Sequence, residues 1–366
     1  MRGVSYAPVF PDLPLHRALV LVALGLCCLP LAAVLCGCES LPGEGLEREL
    51  AWQPAPRQID RPPLVRREGE RLPAFSGGDP RARGWLKVDE LLWIDRRDEA
   101  AYRRGLVSDG VSYVSVDAAP TRRVSAQEGF RLRTDHLAVF TNASWRSALQ
   151  IAREAEGHLT RLVGAYGDVL DLRLPEGPMK VVVTATRAEF EETLRGLVQD
   201  PVGWGAFYDA RTGNVYVSLE PAKTGPLPWR ADLRHEMTHQ IVDLSRPPSR
   251  RGLAFEPPWF WLWEGFSVWT EALGDLPGQD TLEPRLARFR RKAAWSEATP
   301  LRAFFALDQG TFRGDHYDQS ASVMRYLLDT GAPRRRAAVL GLVGRLLREP
   351  VRGDALERAL GMTTEE

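Results

Sequence analysis

Residues 228–244 read PWRADLRHEMTHQIVDL, and residues 257–271 read PPWFWLWEGFSVWTE. The first stretch contains His235-Glu236-Met237-Thr238-His239, an H-E-x-x-H motif, and 24 residues separate His239 from Glu264 in the second. Residues four apart on a helix share a face one turn apart, so His235 and His239 aim two imidazoles at one point. Zinc(II) binds imidazole nitrogen and carboxylate oxygen, and its catalytic sites use three protein ligands and leave a fourth position to water. His235, His239 and Glu264 supply such a His2Glu set for one Zn(2+) per chain. Glu236, next to the first ligand, projects beside the metal, where it can take a proton from water.

The flanks support a packed helix. Leu233, Met237, Ile241 and Leu244 form an apolar set at helical spacing and predict an amphipathic helix; Pro228 suits its first turn, and Pro247-Pro248 ends it. Glu264 sits among Trp259, Trp261, Trp263, Phe266 and Trp269, where a carboxylate without a cationic partner is costly. Trp259, Leu262, Phe266 and Trp269 make one helical stripe, read as core, with a substrate platform as the alternative. Glu271 shares a helix face with Glu264 and Val268. It is either a partner of the metal ligands or an exposed helix glutamate.

HEMTHQIV followed by PPWFWLWEGFSVWTE resembles the gluzincin metallopeptidases of the peptidase MA clan, in which a second helix carries W-L-x-E-G-x-x-x-x-x-E. On that resemblance Glu264 matches the third zinc ligand, and Glu271 matches the acid that orients a ligand histidine. Over residues 128–366 the chain is similar to the peptidase-MA-like bacterial lipoproteins of unknown function. Their order of strand, long helix, strand, hairpin and H-E-x-x-H helix is matched here by FRLRTDH, a helix, MKVVVTATRAEF and a hairpin. The resemblance implies an α+β, zincin-like fold, a small twisted sheet carrying the active-site helix, followed by a C-terminal helical lobe. It also implies a peptidase acting on peptide or protein substrates. No G-x-M-E-N-like segment is present, so an endopeptidase is expected over an aminopeptidase.

Residues 1–37 read as a lipoprotein signal peptide. An apolar run, Ala18 to Leu35, meets Leu35-Cys36-Gly37-Cys38, which looks like a bacterial lipobox with Cys38 as the acylated residue. An uncleaved membrane anchor is the alternative. The four cysteines are Cys27, Cys28, Cys36 and Cys38, so the remainder has no thiol for a disulfide or a metal. A lipid-anchored place in the bacterial cell envelope is expected, on the periplasmic face of the outer membrane or the cell surface. The 48 basic and 48 acidic residues balance, which gives no general attraction to nucleic acid.

Residues 38–80, rich in Pro, Gly and Arg, read as a flexible tether, with a structured arm as the other reading. Residues 81–127 have strand-like runs around the Asp109-Gly110 turn and read as a small β-rich extension. The catalytic unit is expected over 128–275. Within it Asn142 offers an N-cap to a long helix, Thr186 and Glu189 make a capping box, and residues 206–219 form a hairpin. Val215 to Ser218 is either an edge strand that pairs with a substrate peptide or an interior strand. Residues 276–366 read as the helical lobe, ending on Thr363-Thr364-Glu365-Glu366, which looks like the opening of a further helix.

In that lobe Tyr317 opens a helix whose Ala321, Met324 and Leu328 share its face, and it resembles in position the catalytic tyrosine of gluzincins. A fixed donor there would stabilise charge on a tetrahedral intermediate. A core tyrosine is the other reading, and His316 is a weaker candidate for the same role. The expectation for the whole is a membrane-anchored zinc metallopeptidase with Glu236 as general base. The alternatives are a zinc hydrolase acting on a non-peptide bond and a non-catalytic envelope module that retains the fold.

Overall fold

A computed structural model describes residues 84–361, apart from 111, 118–124, 127, 176, 199–203, 221–228, 253–254, 256, 276–280 and 330–332. The segments read above as a signal peptide and a tether, with Cys38, and also Pro228 and the last five residues, lie outside the described residues. Among the described residues no helix is long and apolar enough to cross a membrane.

The strands are β1 (Trp85–Lys87), β2 (Trp93–Asp95), β3 (Leu106–Ser108), β4 (Tyr113–Ser115), β5 (Phe130–Arg133), β6 (Leu137–Thr141), β7 (Met179–Thr184), β8 (Ala206–Asp209) and β9 (Asn214–Ser218). Seven of them form a mixed sheet in the order β1-β2-β5-β6-β7-β9-β8, and β3 and β4 pair apart from it. β6, β7 and β9 run parallel to their neighbours in that group, while the outer pairs are antiparallel. The segment expected as an extension, 81–127, therefore contributes two strands to the main sheet, because Trp93 pairs with Arg133 across the expected boundary.

The central strands are valine-rich and buried on both faces, as parallel strands covered by helices must be. Val181, Val183, Val215 and Val217 face the main core. Alternate residues Val182 and Tyr216 face a smaller cluster with Phe190 and Leu194. That second face is covered by α3 (Arg187–Leu194), which opens with the expected Thr186/Glu189 capping box. It follows a four-residue α1 (Glu99–Tyr102) and the long α2 (Trp145–Leu170) in chain order. The cap of α2 is Ser144, whose side chain accepts from the Ser147 N–H. Asn142 is not that cap, because its side-chain oxygen is taken by the Ala185 N–H in the loop after β7.

The motif lies on α4 (Trp229–Ser245), and Glu264 lies on α5 (Phe260–Glu271). Leu233, Met237 and Ile241 are buried as expected, but so are Arg234, Thr238, Gln240 and Asp243. This helix is thus enclosed nearly all round rather than amphipathic, and these four buried polar residues have internal partners. Gln240 donates to the carbonyls of Lys180 and Gly213. Arg234 reaches Glu154 and Asp275. Thr238 Oγ1 joins His158 Nε2 (2.9 Å) to Thr270 Oγ1 (2.7 Å), tying α2, α4 and α5 together.

The C-terminal region is helical: α6 (Glu283–Ala294), α7 (Leu301–Phe305), α8 (Gly314–Leu328), α9 (Pro333–Arg348) and α10 (Ala355–Leu360). α8 packs closely on α5 at Gly265, where an added Cβ would meet Met324 Cγ at 2.9 Å and Ser320 Cβ at 3.3 Å.

Candidate metal centre

On α4 the two imidazoles converge. His235 Nε2 and His239 Nε2 stand 3.1 Å apart, and Glu264 Oε2 lies 3.2 Å from the first and 3.4 Å from the second. The remaining ring nitrogens are engaged elsewhere. His235 Nδ1 lies 2.9 Å from Glu271 Oε1, and His239 Nδ1 lies 3.0 Å from Ser267 Oγ, which itself donates to the Trp263 carbonyl. Both acceptors call for an N–H at Nδ1, which leaves both Nε2 lone pairs aimed at a carboxylate. Two lone pairs and an anion facing one another need a cation between them, so the donor set fits a metal ion. His235, His239 and Glu264, all buried, are the one such group among the described residues.

Electrostatics of the metal-free group point the same way. Burial opposes a charge on His235, but hydrogen bonds to Glu264 and Glu271 raise it to about 10. Burial works to raise Glu264 too, yet His239 and His235 outweigh it and hold the carboxyl well below the usual range. A proton on His235 supplies the positive charge that the carboxylates call for.

Glu271 is buried and also accepts from Arg285 Nη2 at 3.2 Å, so it is not an exposed helix glutamate. Glu271→Gln should weaken metal affinity about 10- to 100-fold, as loss of an anionic hydrogen-bond partner to a ligand histidine does. Competition against a chelating dye measures it. An affinity equal to wild type would show that the carboxylate does not act through His235.

Glu236 faces a cleft of about 1230 Å³ that is also lined by His235, His239 and Glu264. Burial raises its carboxyl, while His235 and His239 pull it down, and the Tyr208 backbone N–H supports its charged form. Tyr317, on α8, lines the same cleft, with its ring centroid 5.9 Å from that of His235. Burial, then Glu264 and Glu236, raise its phenol well above the ordinary value, so it stays a neutral donor. His316 turns away: its Nδ1 accepts from the Arg313 N–H, and its ring packs against Phe312.

The opposite wall is β8. Val215 to Ser218 belongs to β9, which is interior, and the edge of the sheet is β8. The Ser218 N–H bonds to the Gly205 carbonyl, so in this antiparallel ladder Phe207 bonds inward and the backbone groups of Ala206 and Tyr208 face outward along the cleft.

Some contributors were not singled out from the sequence. Ser267 holds His239, and its position three residues after Glu264 on the same helix face could have revealed it. Trp263 stacks on His239 at 4.5 Å with Phe255 stacked behind it at 4.4 Å. Trp259, Leu262, Phe266 and Trp269 are core, as their stripe suggested. Arg285 and Asp318, 3.7 Å apart, extend the charge chain from Glu271 and carry no local signal in the sequence. No protein-family model matches the chain, and no curated protein matches it.

Proposed function

We propose that the chain is a zinc-dependent metallopeptidase of the zincin type, anchored in the bacterial envelope through Cys38. The observation that carries this reading is the convergence of His235, His239 and Glu264 at the wall of an open cleft with Glu236 beside them. A site built only for stability normally encloses its metal and needs no neighbouring base. Two nitrogens and one carboxylate oxygen suit zinc. Zinc, when bound, supplies Lewis-acid chemistry, polarising a carbonyl oxygen and lowering the pKa of a water.

The chain's own groups do the rest. The outward backbone groups of β8 that Glu236 does not engage, those of Ala206 and the Tyr208 carbonyl, pair with an extended peptide and fix its carbonyl over the site. A Glu236 carboxylate oxygen takes the proton of the attacking water and returns it to the leaving nitrogen. The Tyr317 hydroxyl donates to the oxygen on which negative charge grows. Glu271 and Ser267 hold the two imidazoles in the tautomers that leave Nε2 free.

The test is metal content by elemental analysis, together with cleavage of an unfolded casein-like protein before and after chelation. About one zinc per chain and chelator-sensitive cleavage are expected. A folded protein that takes up no zinc under metal-replete conditions would sink the mechanism.

A further inference from the structure

Asp232 lies one turn before His235 on α4 and lines the cleft beside the metal ligands. Its part-buried carboxylate rests on Gly205, just before β8: a Cβ added there would come within 2.3 Å of Asp232 Oδ2. Glu236, part-buried like Asp232, meets the Tyr208 backbone N–H, and the fully buried acids along the cleft are matched by cations. Asp243 has Arg246, Glu264 has the two imidazoles, Glu271 has Arg285, and Asp318 has Arg288. Asp232, among the described residues, has neither a hydrogen bond nor an ion pair, and only charges at a distance act on it. The two cations among those charges are both committed elsewhere, His235 to Glu264 and Glu271 and Arg285 to Glu271 and Asp318. Burial, then the negative charge of Glu271, raise the Asp232 carboxyl to about 7.

A carboxylate left without a counter-charge at a cleft wall is a poor structural element and a good receptor for a cation. Gly205, having no side chain, lets that carboxylate sit against the edge strand, where a peptide paired with β8 delivers its side chains. Trp204, next in the chain, is 40% exposed and lines the cleft too. An aromatic face beside a carboxylate suits the flat guanidinium of arginine and the stem of lysine.

We propose that Asp232 is the recognition group for a basic side chain, arginine or lysine, flanking the bond that is cleaved. This rests on the peptidase reading and adds a substrate class to it.

The test uses the metal-replete chain and blocked pentapeptides that carry arginine, norleucine or glutamate on either side of the central bond. Wild type is expected to favour arginine over norleucine in kcat/KM by about 10- to 100-fold, the scale of a charged hydrogen bond. Asp232→Asn should bring that ratio close to one. Gly205→Ala, which displaces the carboxylate without removing it, should lower the ratio in part. Binding of the same peptides to Glu236→Gln by calorimetry separates this inference from the one beneath it. If no peptide is cleaved yet the arginine peptide still binds more tightly in an Asp232-dependent way, the peptidase reading fails and the cation site stands. Equal affinities for arginine and norleucine peptides, or a ratio untouched by Asp232→Asn, overturn it.

Discussion

Glu236→Gln is expected to retain one metal ion per chain and to lose hydrolysis by about 10²- to 10⁴-fold, the range that a positioned general base contributes. The substitution is close to isosteric. It leaves His235, His239 and Glu264 in place, and the Tyr208 N–H can still meet a side-chain oxygen at position 236. What it removes is the ability to hold a proton at that atom. The pairing of unchanged metal content with lost turnover distinguishes this role from a packing role, which would lower both together. Full activity in the Gln variant on any substrate found would show that the base lies elsewhere.

The second large effect is on metal retention. His239→Ala removes one corner of the donor triangle and unseats the ring on which Trp263 stacks, so metal content should fall from about one per chain to near zero. Metal that binds only the folded chain stabilises it by about 2.7 kcal/mol at a hundredfold excess over its dissociation constant. Added zinc should therefore raise the wild-type melting temperature and leave that of the variant unmoved.

The same equilibrium carries a pH dependence whose sign is set by His235. Its metal-free pKa is raised to about 10, so near neutral pH a proton occupies the position that a metal would take. Binding must release that proton, and apparent affinity should rise about tenfold per pH unit as pH increases toward 10. Calorimetry in buffers of different ionisation enthalpy counts the protons released. A count near zero at neutral pH would contradict the assignment of His235 as a ligand.

Much of the site was legible because its information is local. His235 and His239 share a helix face by spacing alone, and the tryptophans around Glu264 mark it as a carboxylate in need of a cation. Elements that depend on contacts distant in sequence were not legible. A hairpin over 206–219 follows from its turn residues, yet which of its strands is the edge depends on β7 lying beside β9 rather than β8. Arg234, Gln240 and Asp243 read as the polar side of an amphipathic helix. They are buried because Glu154, Lys180 and Tyr208, far away in sequence, satisfy them. Asn142 and Ser144 are both capping types, and the Ala185 N–H decides between them.

The close approach at Gly265 bears on how the cleft can open. Glu264 precedes that glycine, and Tyr317 lies one turn from Ser320, which packs on it. A ligand and a donor carried on two helices in such contact are expected to move as a single body, since closely packed elements shift together rather than stretch. Admission of a bulky chain would then fall to the thinner side, where β8 is held to the sheet by β9 alone. Selectivity in this protein is accordingly expected to be tuned by replacements along residues 204–210, while replacements on the Glu264 side should change rate more than choice.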